Sequence, residues 1–467
     1  MIPEGTVSRR SRASGLRAVL AVWLVTGLTA VAAGPGSRPA TAADPPPASP
    51  IEHVVVLMQE NHTFDNYFGT FPGADGPPPG TCMPIDPATP DLGCVAPYHL
   101  DSPRSADLAH SRTVGLRAVN GGAMDGFIAV QNERNLPGPV AMGYYDGRDL
   151  PFYWNLATEY ILADRFFSSV QGSSEANHQY WVAGCSSIGP IPEEEGYSFP
   201  TIFDRLDAAG ISWKFYVQNY DPTITFRNPQ PVSPHGAQLV WVPLLSVGRF
   251  LDVPRLHDRI VDLSEYHEDL ANGTLPAVSY IVPSGASEHP PGDVTLGHVF
   301  ATSLVTALMR SSSWDASLFL ITWDDWGGWY DHVEPPQVDA DGYGFRVPAL
   351  IVSPYARRGY IDSTTYDFTS VLKTIEENWG LEPLTARDAT ANGFLASLDL
   401  ASAPRPPDFP GAIYPDVADI EARNRDVLSL VYAGVLAALI VALVALARRS
   451  SRPAAPDRGV VGARREP

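Results

Sequence analysis

Two short stretches of this sequence carry oxygen-rich side chains that could hold a hard cation: Glu60-Asn61 in MQENHTFDNYFG and Asp324-Asp325 in TWDDWGGWYDH. Carboxylate and amide oxygens suit Ca²⁺, Mg²⁺ or Mn²⁺, and a mixed-ligand Zn²⁺ site is equally open to them. Adjacent aspartates also serve as turn and helix-cap residues, so the pattern alone leaves both readings standing. Ser174, in SSVQGSSEANH, reads either as part of a turn or as a nucleophile, with Ser173 its rival one register away. A serine hydroxyl is a weak acid and needs a cation or a helix terminus to stabilise its alkoxide. His110, His289, His298 and His332 lie in turn-like contexts, where a histidine either fills a structural niche or meets a phosphate and its leaving group. Trp323, Trp326, Trp329 and Tyr330 surround the Asp pair. Trp323 reads as core, whereas Trp326 and Trp329 flank two glycines and could wall a quaternary ammonium by cation–π attraction.

These residues need a rim on which to meet. Residues 54–58, 277–282, 318–323 and 349–352 are short apolar runs that fit strands buried on both faces. Helical periodicity appears at 202–209, 300–309 and 370–379. Alternation of the two predicts an α/β fold with a mainly parallel central sheet flanked by helices. In such sheets ligands collect beyond the carboxyl ends of strands. Glu60-Asn61 follows the first strand, Asp324-Asp325 follows the 318–323 strand, and the Ser174 loop follows the run 161–167.

The chain has 467 residues, with 52 acidic against 32 basic and a net charge of -20. That balance excludes a nucleic-acid binder, which needs basic side chains to neutralise phosphates. The two ends are locally basic and the middle is acidic. Residues 1–43 read as a signal peptide, with SRRSR before an apolar run and Ala40-Thr41-Ala42 suited to cleavage; an uncleaved anchor is the alternative. Residues 427–447 are uncharged and long enough for a hydrocarbon core of about 30 Å, and the arginines that follow place 448–467 in the cytoplasm. Residues 44–401 then form one extracytoplasmic domain of a single-pass membrane protein, joined by a linker at 402–426. Cys82 and Cys94 bracket a Pro-rich loop outside the reducing compartment and are expected to form a disulfide, leaving Cys185 as a small buried hydrophobe.

Taken together, the chain resembles the bacterial phosphoesterase family that includes phosphatidylcholine-type phospholipases C and related extracytoplasmic acid phosphatases. The resemblance runs in order from IEHVVVLMQENHTFDNYFG through DLAHS, GAMDGF, GYYDGRDLPFYWNLATEYILADRFFSSVQGSSEANH, SEHPPGD and SLFLITWDDWGGWYDHVEPP to YGFRVPALIVSPYARRGYID. It implies an alkaline-phosphatase-like core and hydrolysis through a phosphoserine. It also implies one divalent metal ion at Glu60, Asn61, Asp324 and Asp325, Ser174 as nucleophile, and catalytic His110 and His289. Glu288 matches the family's Glu-His-Pro segment, and with His332, Trp326 and Trp329 it completes an expected substrate-binding set. The chain departs from the family where His62 and His178 stand in place of arginines, which removes positive charge from the region. The implied substrate is a phospholipid or a soluble phosphomonoester. An inactive membrane-anchored binding protein is the reading from another class, and the intact Glu60, Asn61, Ser174, Asp324 and Asp325 set argues against it.

Overall fold

Uninterrupted runs of Val, Leu, Ile and Phe have no polar face to show to water, so they settle in a sheet covered on both sides. His53–Gln59 and Ser317–Trp323 are such runs, and every residue of the second is buried. The computed structural model describes residues 44–187, 191–230 and 237–409. Within them an eight-stranded sheet has the order Tyr360–Asp362, Ile161–Ala163, Ala349–Val352, Ser317–Trp323, His53–Gln59, Val278–Val282, Trp213–Val217, Ile260–Asp262. Neighbours pair in parallel except at Ala349–Val352, which is antiparallel to both of its partners. The α/β architecture read from the sequence is present, with one reversed strand.

Helices flank the sheet in two groups. Pro151–Glu159 and Ser264–Asn272 both pack on Val294–Met309, and Ile202–Ala209 and Thr369–Trp379 both pack on Ser174–Ala183. The helix expected at 300–309 starts earlier because the Asp293 side chain caps it by accepting from the Thr295 N–H. His298 is therefore helical and buried rather than in a turn, and its Nε2 accepts the Phe152 N–H at 2.9 Å.

Three strands were not legible. Trp213–Val217 is interrupted by Lys214, whose ammonium leaves the sheet to meet Asp269 at 2.6 Å and Glu265 at 2.9 Å. Ile260–Asp262 and Tyr360–Asp362 are three residues each, too short to show a period. The run 161–167 is a strand over Ile161–Ala163, turns at Asp164 and Arg165, and pairs again only through single bridges at Phe166 and Phe167. The Pro-rich loop is stapled by the expected Cys82–Cys94 disulfide, with Cα atoms 5.4 Å apart. Cys185 is a free thiol, half-buried against the core. The segments 1–43, 410–426, 427–447 and 448–467 lie outside the described residues. Among the described residues no helix is long and apolar enough to cross a membrane.

Candidate active site

Gln59 and Trp323 are register partners on adjacent parallel strands, so the residues after them, Glu60 and Asp324, leave the sheet side by side. The chain then turns at Asn61 through a positive φ of 64°, and the Asn61 N–H donates to Asp324 Oδ1 at 2.8 Å. Gly327 makes this approach possible: its φ is +58°, and a Cβ there would lie 2.2 Å from the Asn61 carbonyl oxygen.

Each aspartate divides its two oxygens between backbone and site. Asp324 Oδ1 also accepts the Asp325 N–H at 2.7 Å, while its Oδ2 is buried with no hydrogen-bond partner. Asp325 Oδ1 accepts the Gly327 N–H at 2.9 Å, and its Oδ2 accepts the Ser174 hydroxyl at 3.1 Å. One end of the Asn61 amide lies 2.9 Å from Glu60 Oε2 and 3.3 Å from Asp324 Oδ1; the other lies 2.9 Å from His110 Nε2. With nitrogen inward the amide donates to both carboxylates, and with oxygen inward it adds a neutral donor for a cation.

Ser174 opens the helix Ser174–Ala183, with Ser173 at the N-cap and exposed. Asn177 fixes the incoming loop by accepting from Val170 N at 3.1 Å and donating to Val170 O at 3.3 Å. One helical turn after Ser174, on the same face, comes His178. Its Nε2 lies 3.0 Å from Glu60 Oε1 and 3.8 Å from Asp324 Oδ2, and both carboxylates and the ring are buried. Sequence reasoning passed over His178 as a site residue, and its i+4 spacing from Ser174 was the signal that could have found it.

Three carboxylates are thus enclosed together with no lysine or arginine among the described residues in ion-pair range of any of them. Burial, then the charges of Asp324 and Asp325, pushes the Glu60 carboxyl well above its ordinary value. Burial and Asp324 push Asp325 up to about 7, and burial lowers His178 to about 4, leaving its ring neutral at pH 7. The unpartnered Asp324 Oδ2 and this uncompensated charge fit one divalent cation. Glu60, His178 and Asp324 each offer one atom of a kind that can ligate a metal, all within 4.8 Å of one another.

His110 reaches the cluster through Asn61, and its Nδ1 lies 2.6 Å from the Leu108 carbonyl. Burial opposes its charged form, but Asp325 and the Leu108 carbonyl outweigh this and raise its pKa. His289 faces His110 edge-on, ring centroids 5.8 Å apart. The expected substrate-binding set is placed differently. Trp326 is buried against Phe345 and donates its Nε1–H to the His110 carbonyl at 2.9 Å, so it braces that histidine rather than presenting a wall. Trp329 is fully buried and stacks on His62, whose ring also stacks on Tyr67 with centroids 4.3 Å apart. Glu288 is buried beneath the rim, accepting from Tyr153 at 2.6 Å, Tyr67 at 2.7 Å and Trp323 at 2.9 Å. His332 is engaged by Asp65 at 2.7 Å, in a network where Arg346 pairs with Asp65 and Asp331, both at 2.9 Å. These four lie in packed surroundings because aromatic and charged groups near a strand end are consumed in holding the loops that carry the cluster. Sequence alone does not separate those loop anchors from residues facing the cleft.

With this geometry in place, the chain was compared with known proteins. The phosphoesterase family model matches residues 51–382. Phospholipase C B of Mycobacterium tuberculosis is 31% identical over 440 residues, covering 80% of this chain and 83% of that protein. The non-specific phospholipase C6 of Arabidopsis thaliana is 29% identical, covering 80% of this chain and 76% of its own length. Among solved structures, a protein in the alkaline phosphatase superfamily from Vibrio parahaemolyticus aligns over 77% of this chain and 71% of its own at 13% identity, with a TM-score of 0.36. The chain belongs to the phosphoesterase family and is a hydrolase of phosphoester bonds.

Proposed function

We propose that this protein is an extracytoplasmic, membrane-tethered phosphoesterase of the phospholipase C type that works through a phosphoserine at Ser174. The observation that carries the reading is the Ser174 hydroxyl at 3.1 Å from Asp325, beside an enclosed cluster that includes the unpartnered Asp324 Oδ2. The residues that would hold a divalent ion are Glu60, Asn61, Asp324 and Asp325. Bound there, it would supply Lewis-acid stabilisation of the serine alkoxide and of a phosphoryl oxygen.

The chain's own groups do the rest. Asp325 Oδ2 orients the Ser174 hydroxyl and accepts its proton as the oxygen attacks phosphorus. The N–H groups in the first turn of Ser174–Ala183 stabilise negative charge on the phosphoryl oxygens, since a helix N-terminus carries partial positive charge. His110 and His289 donate hydrogen bonds to those oxygens, and one of them protonates the leaving alcohol. Water then attacks the phosphoserine from the side the alcohol left, freeing phosphate or a phosphorylated head group. An alkaline-phosphatase-like core is the fold that the family resemblance implies.

The relatives named as phospholipases C favour a lipid substrate. The acidic chain gives no attraction to an anionic bilayer, so a zwitterionic lipid suits it better. The reading is tested by offering the protein phosphatidylcholine and an aryl phosphate monoester. Diacylglycerol with phosphocholine is the expected product pair. Free phosphate without lipid cleavage would assign it as an acid phosphatase of soluble monoesters, and no turnover of either would leave a binding protein.

A further inference from the structure

His178 meets the carboxylate cluster from the nucleophile's own helix, and its ring has two possible duties there. It can donate a hydrogen bond to Glu60, or its Nε2 can share a cation with Glu60 and Asp324. The distances bear on the choice. Ligand atoms held tetrahedrally about 2 Å from a common ion lie roughly 3.3 Å from one another. The Nε2 edges to Glu60 Oε1 and Asp324 Oδ2 are 3.0 and 3.8 Å, on either side of that length. Asp324 Oδ2, the far end of the longer edge, is wholly buried and has no hydrogen-bond partner, whereas Oδ1 of the same carboxylate is satisfied by two backbone N–H groups. A hydrogen bond from His178 to Glu60 does nothing for that oxygen, which then depends on a proton carried by Glu60. A shared ion satisfies it.

Resting on the metal-dependent reading above, we infer that His178 Nε2 is a direct ligand, so that the site selects a zinc-class ion over Ca²⁺, Mg²⁺ and Mn²⁺. Imidazole nitrogen suits Zn²⁺, Fe²⁺ and Cu²⁺, whereas Ca²⁺ and Mg²⁺ take oxygen donors. The ligand also stands one turn from Ser174 on a single helix, so the ion that it binds fixes the nucleophile's helix against both strand ends.

The test uses the purified full chain, stripped by chelation and titrated calorimetrically with Zn²⁺, Mg²⁺ and Ca²⁺, beside a His178→Gln variant. The wild type is expected to bind one Zn²⁺ at least about 100-fold more tightly than Mg²⁺ or Ca²⁺. Losing a hydrogen-bond partner of a ligand costs about 10- to 100-fold, so losing the ligand itself should cost the variant about 100-fold or more in Zn²⁺ affinity with Mg²⁺ affinity little changed. Equal Zn²⁺ binding by variant and wild type would overturn the ligand role while leaving the metal reading intact. A folded wild type that binds no divalent ion would remove both. If His178→Gln fails to fold, pulsed electron paramagnetic resonance on Cu²⁺-loaded wild type decides: imidazole nitrogen coupling is expected, and its absence overturns the inference.

Discussion

Ser174 and Asp325 are 151 positions apart in the chain, yet the Ser174 hydroxyl donates to Asp325 Oδ2 across 3.1 Å. The other oxygen of Asp325 is occupied by the Gly327 N–H at 2.9 Å, so the carboxylate cannot rotate away without losing a backbone bond.

Replacement of Ser174 by alanine should therefore lower phosphoester hydrolysis by about 10³-fold or more, as loss of a nucleophile does elsewhere. Ser173→Ala should stay near wild type, because Ser173 is an exposed N-cap whose side chain makes no cap hydrogen bond. Steady-state assay of both variants, with circular dichroism to establish folding, checks the pair.

Asp325→Asn should separate stability from activity. It removes one of three enclosed like charges while keeping an oxygen for the Gly327 N–H. In chelator-treated protein at pH 8 the variant should gain on the order of 1 kcal/mol, as when a poorly paired buried charge is replaced. Its turnover should fall. Denaturant unfolding beside a kinetic assay reads both, and a less stable variant would speak against charge repulsion in the cluster.

Glu288 offers a pH test away from the cluster. Burial raises its carboxyl from 4.5 to about 7, against the opposing donors Tyr153, Tyr67 and Trp323. A carboxyl raised in the folded state binds its proton more tightly there than in the unfolded chain. Its stabilising contribution is full below pH 4.5 and is lost as pH rises through about 7. Wild type should lose about 3 kcal/mol relative to Glu288→Gln between pH 4 and 8, at 1.36 kcal/mol per pKa unit. Urea unfolding at the two pH values measures the difference, and parallel profiles would contradict it.

Reduction of Cys82–Cys94 frees a 12-residue separation in the Pro-rich loop. The expected loss is about 3 kcal/mol on the chain-entropy model. Thermal unfolding with and without reductant, or of Cys82→Ala, gives the value.

The parts of the fold that could be read from sequence were those whose burial is complete. Ser317–Trp323 shows no polar residue except Ser317 and Thr322, so its apolar run announces an inner strand. Trp213–Val217 hid behind Lys214, whose charge is satisfied only by residues some fifty positions later, and no local pattern carries that information. The same holds at the site. Glu60 and Asp324 were legible because each directly follows a legible strand. His178 was not, because its closeness to Glu60 depends on where a helix docks. Trp326, Trp329 and Glu288 sit near the right strand ends, but their side chains are buried on His110, on His62 and on the Tyr67, Tyr153 and Trp323 donors, while the half-buried His332 pairs with Asp65.

The most direct measurement is a rapid acid quench during turnover, followed by mass spectrometry of the Ser174 peptide. The expected result is a phosphoryl or phosphorylated head group on Ser174 that disappears when the divalent ion is chelated and returns on metal add-back. Turnover with no adduct on Ser174, or an adduct formed equally well in chelated protein, would contradict a cation-assisted serine as the attacking group.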